Sequence, residues 1–172
     1  SEVLVAGNDP DDARLTDNFA ELCDRAMAYG LRTHLEFMPW TDVPDLQKAV
    51  RIVGQAGRDS GGVLVDAFHF DRSGSRLDDL QQVEPSWLRY AQLCDVAGPR
   101  PADMAEILRQ ARNERCFPGD GDCDLSGLLR CLPANTALSL EVPNRQVADP
   151  AQRAQLAIDK ARALLEHLHL PA

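Results

Sequence analysis

Four oxygen-bearing side chains stand at the far ends of four separate apolar runs. They are Glu36 in THLEFMPW, Asp66 in GGVLVDAFH, Gln92 in YAQLCD and Glu141 in ALSLEVP. Two glutamates, an aspartate and an amide oxygen are hard donors. They suit Mg²⁺, Mn²⁺ or Co²⁺ better than a thiolate-type zinc site would. Any one of them alone reads as a strand-end residue bonded to loop backbone. The four together point to one shared cation, because buried carboxylates are costly unless paired or metal-bound. His69 lies three residues after Asp66 and can hang over the same strand end from the following loop. His34, two residues before Glu36, shares that residue's face but sits deeper, as a core or supporting histidine. His167 and His169 read as solvated helix residues.

The run RNERCFPGDGD (112–122) can place Arg115 over the pocket. A guanidinium there would bind a substrate oxyanion or carboxylate. The alternative is a turn in which Pro118, Gly119 and Gly121 only shape the chain. Arg72 and Arg76 in FDRSGSR are weaker candidates of the same kind, and Trp40 either walls the pocket or packs beneath it. The glycine-rich run lacks the G-K-[ST] ending of a phosphate-binding loop. There is no G-x-S-x-G and no cysteine with an obvious dyad partner, so serine and cysteine hydrolase chemistry is unsupported.

The elements that must position these residues alternate along the chain. Strands are expected at 3–7, 33–38, 62–67, within 88–95 and at 137–142. Apolar residues at helical spacing fall between them. Leu15, Phe19, Leu22, Cys23, Ala26 and Met27 form one stripe, which Gly30 stops. Thr41-Asp42-Val43-Pro44 is expected to cap a second helix with Leu46, Ala49, Val50 and Val53 inward. Segment 71–88 is less regular and should hold short helices. Helices are expected at 101–111, after Asp124, and after Asp149-Pro150. Apolar strands alternating with helices imply a parallel α/β sheet covered by helices, with ligands at the carboxyl ends of the strands.

The 172 residues suggest one domain (1–172), and 44% apolar content is enough for a core. Eighteen Lys and Arg against 27 Asp and Glu give a net charge of −9, which disfavours nucleic-acid partners. No apolar run is long enough to span a bilayer, and no signal peptide is visible, so no membrane partner and a cytoplasmic location are expected. Cys23, Cys94, Cys116, Cys123 and Cys131 are odd in number, without C-x-x-C, and read as reduced thiols. Cys116 and Cys123 flank the glycine-rich loop, but zinc partners at the usual spacing are lacking.

Through LEFMPW, VLVDAFHFDRSG, YAQLCD, RCFPGDGDCDL and SLEVP the chain resembles the xylose isomerase-like TIM-barrel family of sugar phosphate isomerases and epimerases. The single motifs are weak, but their order and spacing are specific and run over nearly the whole chain. The resemblance implies that Glu36, Asp66, Gln92 and Glu141 bind one divalent metal. It implies that Glu36 and Glu141 act as acid and base on opposite sides of the substrate, and that His69 and Arg115 contact substrate oxygens. Many members carry His where this chain has Gln92. Gln is similar to a branch that includes 3-dehydroshikimate dehydratases. The five expected strands match strands four to eight of the barrel, so the barrel is expected to be incomplete, lacking the N-terminal βα units. Its two open sheet edges favour association, including a homo-oligomer.

The implied chemistry is proton abstraction next to a carbonyl of a sugar-like or polyhydroxy-keto substrate, through an enediolate, with the metal as Lewis acid. Return of the proton gives an isomerase or epimerase. Loss of a β-hydroxyl gives a dehydratase. Two rivals are an apurinic endonuclease, disfavoured by four histidines and the acidic balance, and a non-catalytic remnant that binds a sugar-like ligand.

Overall fold

Five β-strands lie side by side in the order in which they occur in the chain, and every neighbouring pair is parallel. The computed structural model describes residues 1–169. The strands are β1 (Glu2–Ala6), β2 (Arg32–Glu36), β3 (Gly61–Asp66), β4 (Tyr90–Leu93) and β5 (Ala137–Leu140). Helices α1 (Asp12–Met27), α2 (Leu46–Ala56), α3 (Ala67–Ser73), α4 (Leu77–Leu80), α5 (Met104–Asn113) and α6 (Leu125–Cys131) fill the connections, and α7 (Pro150–His167) follows β5. A doubly wound sheet reverses its strand order at a switch point. Here the order never reverses, so the sheet curls in one direction as a half-barrel of TIM type with flanking helices.

The helix starts follow from short polar side chains that accept free backbone N–H groups. Asp11, Asp45, Asp66, Asp103, Asp124 and Asp149 each cap a helix in this way. The cap of α2 is Asp45, not the 41–44 segment, whose Thr41 hydroxyl instead closes a turn on Met38 and Val43. The buried face of α2 is Leu46, Ala49, Ile52, Val53 and Ala56, with Val50 only partly buried. Segment 71–88 does hold short helices: the end of α3, α4 and one 3₁₀ turn at Pro85–Trp87. β4 falls within 88–95 as expected, while β5 ends at Leu140 rather than at 142, so Glu141 stands just beyond its strand.

Register decides which residues share the concave face. Leu4 pairs with His34 and His34 with Gly62; Glu36 pairs with Leu64 and Leu64 with Tyr90; Asp66 pairs with Gln92 and Gln92 with Ser139. Because strand side chains alternate, these rows all point inward, toward the barrel axis. Gly62 is required by His34: a Cβ at that position would lie 2.5 Å from the imidazole Nδ1 and 2.5 Å from the Trp87 carbonyl. The opposite face packs Leu35, Val63, Val65 and Ala91 against the helices in the main core.

Candidate metal centre and active site

The carboxyl ends of β2, β3, β4 and the segment after β5 bring Glu36, Asp66, Gln92 and Glu141 to one place. Glu36, Asp66, His69 and Gln92 are buried, and Glu141 remains partly open at 42% side-chain exposure. One ligand atom from each of Glu36, Asp66 and His69 lies within 4.8 Å of the other two. Backbone position and capping chemistry explain the cluster. Asp66 ends β3 and caps α3, its Oδ1 accepting the His69 N–H at 3.0 Å. The spacing D-A-F-H is therefore the distance from a helix cap to its third residue, and it aims His69 back over the strand end. His69 Nε2 stands 3.6 Å from Glu36 Oε1, with Trp40 edge-on to the ring at 5.0 Å between centroids and Phe68 at 5.6 Å.

Arg115 enters this cluster as its cation. Its Nη1 donates to Asp66 Oδ2 at 2.7 Å and to the Glu141 carbonyl at 3.3 Å, and it lies 3.4 Å from Glu141 Oε2. The guanidinium rests over the Phe68 ring at 5.0 Å. Arg115 was expected above the pocket, binding a substrate oxyanion; it is instead sunk among the acidic groups, with only 4% of its side chain exposed. Arg72 and Arg76 are not in the site. Arg72 is fully buried and donates to the Ala97 and Gly98 carbonyls, Gln110 and Asp71, while Arg76 pairs with Asp78 at the surface. His34 is buried with Nε2 at 2.5 Å from Glu2 Oε2, deep below Glu36. His167 ends α7 and is exposed; His169 is also exposed but lies in a turn rather than the helix. All five cysteines are free thiols.

Two buried carboxylates, Glu36 and Asp66, with the partly open Glu141 beside them, cannot all ionise freely. Burial, reinforced by the Asp66 and Glu141 charges, pushes the Glu36 carboxyl up to about 8, with Arg115 only partly opposing. Burial would also raise Asp66, but the Arg115 charge and two hydrogen bonds hold it below the usual carboxylate range. Glu141 is raised by burial, with Arg115 opposing and Asp66 adding. Burial drives His69 down to about 4, so its imidazole is neutral at pH 7.

Gln92 Oε1 and His69 Nδ1 are buried with no hydrogen-bond partner among the described residues. An orphaned amide oxygen beside carboxylates short of positive charge is the complement of a hard divalent cation, so the donor set fits one. One buried charged residue escaped the sequence reading. Asp95, three residues after Gln92, accepts four backbone N–H groups from its own turn and the glycine-rich loop. The glycine-rich turn 119–122, whose backbone N–H groups need acceptors from outside a regular element, is the signal that could have found it.

A family model described as xylose isomerase-like TIM barrel matches residues 3–167. The 3-dehydroshikimate dehydratase of Pseudomonas aeruginosa is 31% identical over 172 residues, covering 95% of this chain and 26% of that protein. The inosose isomerase of Bacillus subtilis is 30% identical over 118 residues, covering 67% of this chain and 40% of that protein. A crystal structure of a zinc-binding IolI protein superposes with a TM-score of 0.81 at 23% identity, over 98% of this chain and 64% of that one. The chain thus spans well under half the length of these curated relatives, and both are enzymes.

Proposed function

The chain belongs to the xylose isomerase-like TIM barrel family, and from that premise we propose that it carries the metal centre of an enzyme that removes a proton next to a carbonyl in a small sugar-like or polyhydroxy-keto substrate. Glu36, Asp66, Gln92 and Glu141 would hold one divalent ion of the Mg²⁺, Mn²⁺ or Co²⁺ class. When bound, such an ion supplies a Lewis acid for a substrate oxygen. The observation that carries this is the orphaned Gln92 Oε1, buried on the strand position that pairs with Asp66.

The chain's own groups supply the rest. Glu141 is the most open of the carboxylates and the one best placed to reach a substrate carbon, so it serves as the base. Glu36, ionised once it holds the ion, would be the partner carboxylate that takes up and returns a proton on the opposite side of the substrate. Neutral His69 orients a substrate oxygen, Arg115 balances the Asp66 charge from 2.7 Å, and Trp40 walls the site beside His69.

Return of the proton to carbon gives isomerisation or epimerisation, whereas expulsion of a β-hydroxyl gives dehydration. Two observations favour the dehydratase outcome: the amide at Gln92, and a dehydratase match covering 95% of the chain against 67% for the inosose isomerase. The shared step has its own test. Incubation in D₂O with Mn²⁺ and either 3-dehydroshikimate or a ketose should wash deuterium into the position next to the carbonyl. Glu141→Gln should lower that exchange by about a hundredfold or more. Exchange that persists undiminished in Glu141→Gln would contradict the assignment of the base.

A further inference from the structure

Resting on the metal-binding reading above, we propose that Asp95 is a positioning residue of the site: it grips the glycine-rich loop so that Arg115, at the loop's base, is fixed against Asp66 and Glu141 as an internal counter-cation.

Asp95 is 1% exposed and lies just beyond β4. Its Oδ1 accepts from Val96 N–H at 2.8 Å and Cys123 N–H at 3.0 Å; its Oδ2 accepts from Gly119 and Gly121 N–H, each at 3.0 Å. Its own backbone exchanges two hydrogen bonds with Cys116, at 2.9 and 2.8 Å. Four charge-assisted bonds from neutral donors satisfy a buried carboxylate without a cation. The loop is shaped to this grip. A Cβ on Gly121 would lie 2.4 Å from the Val96 carbonyl and 2.6 Å from Asp95 Oδ1, and Gly119 has φ +86°.

Arg115 immediately precedes Cys116, so the Asp95–Cys116 bridge fixes one side of its backbone. The other side is held by its N–H on the Pro143 carbonyl at 3.1 Å, while Asn144 Nδ2 donates to the Arg115 carbonyl at 3.0 Å. From that fixed base its Nε reaches the Ala111 carbonyl at 3.1 Å and its Nη1 reaches Asp66 at 2.7 Å. A fixed positive charge on a metal-binding carboxylate opposes the incoming ion. Asp95 therefore tunes ion affinity through Arg115, and loosening the loop should tighten ion binding.

A double-mutant cycle read by calorimetric Mn²⁺ titration tests this. Arg115→Met should tighten Mn²⁺ binding on the order of tenfold. Asp95→Asn, which replaces one accepting oxygen by an NH₂ facing two N–H donors, should shift affinity in the same direction by a few-fold. In the Arg115→Met background it should shift nothing further. An Asp95→Asn affinity equal to wild type, or a shift that survives in Arg115→Met, overturns the proposal. Should Asp95→Asn fail to fold, Gly119→Ala takes its place in the cycle, since it strains a positive-φ position with open space around its Cβ.

Absence of Mn²⁺ uptake by the wild type would contradict the metal reading alone. Guanidinium ¹⁵N NMR then decides the Asp95 assignment. The Arg115 Nε–H, identified by its loss in Arg115→Lys, should exchange slowly in wild type and broaden in Asp95→Asn, and an unchanged signal overturns the assignment.

Discussion

A buried amide oxygen without a partner costs about 1–3 kcal/mol, and Gln92 Oε1 is such an atom. Gln92→Leu should therefore stabilise the metal-free chain by about 1 kcal/mol in urea unfolding while weakening divalent-ion binding. A destabilised variant would mean that the amide is satisfied without an ion. Glu36 gives the pH dependence. Its folded carboxyl titrates at about 8 against an ordinary 4.5, so between these values the folded chain holds a proton that the unfolded chain has released. Stability from this group is complete below about 4.5 and is lost as pH rises toward 8. The melting temperature of the metal-free chain should fall across that window, and saturating Mn²⁺ should abolish the fall by holding Glu36 ionised. At this scale the sequence showed Glu36, Asp66, Gln92, His69 and Glu141, because polar residues at the ends of apolar runs stand out. It did not show that Arg115 turns inward onto Asp66, since a guanidinium's direction depends on where residues 95 and 143 anchor its backbone.

Elements place these atoms, and the inward face of the sheet leaves little slack. The His34 ring fits only because Gly62 has no side chain. Gly62→Ala should destabilise the chain by about 1–3 kcal/mol, measured by denaturant unfolding, through displacement of His34 or the Trp87 carbonyl. A neutral substitution would show that this layer can relax. The helix caps at Asp124 and Asp149 were readable because an acceptor before an apolar stripe is local information. The start of α2 was misplaced because Thr41, Asp42 and Asp45 are all competent caps. Only the turn closed by Thr41 settles that Asp45 is used. Arg72 misled for a similar reason: four separate acceptors, from α3, α5 and the 97–98 turn, converge on it, and none is near it in a linear pattern except Asp71.

At the scale of the whole molecule, strand number and direction were legible from the alternation of apolar runs, and the unreversed strand order makes the sheet a barrel sector. Among the described residues β1 and β5 each pair with a strand on one side only. An apolar groove lined by Leu138, Leu140, Ile158 and Leu165 runs beside β5, and Ile158 is 38% exposed. Such edges and patches promote association. Sedimentation velocity should show an average mass that rises with concentration, and Ile158→Lys should suppress the rise; a concentration-independent monomer would contradict this. Among the described residues no helix is long and apolar enough to cross a membrane. The central claim is that Glu36, Asp66, Gln92 and Glu141 together hold one divalent ion. Calorimetric titration of Mn²⁺ into the metal-free chain, beside Asp66→Asn and Glu141→Gln, tests it most directly. One ion should bind per chain, with affinity reduced by about a hundredfold or more in each variant. A wild-type chain that takes up no ion, or variants that bind it as tightly as wild type, would contradict the account.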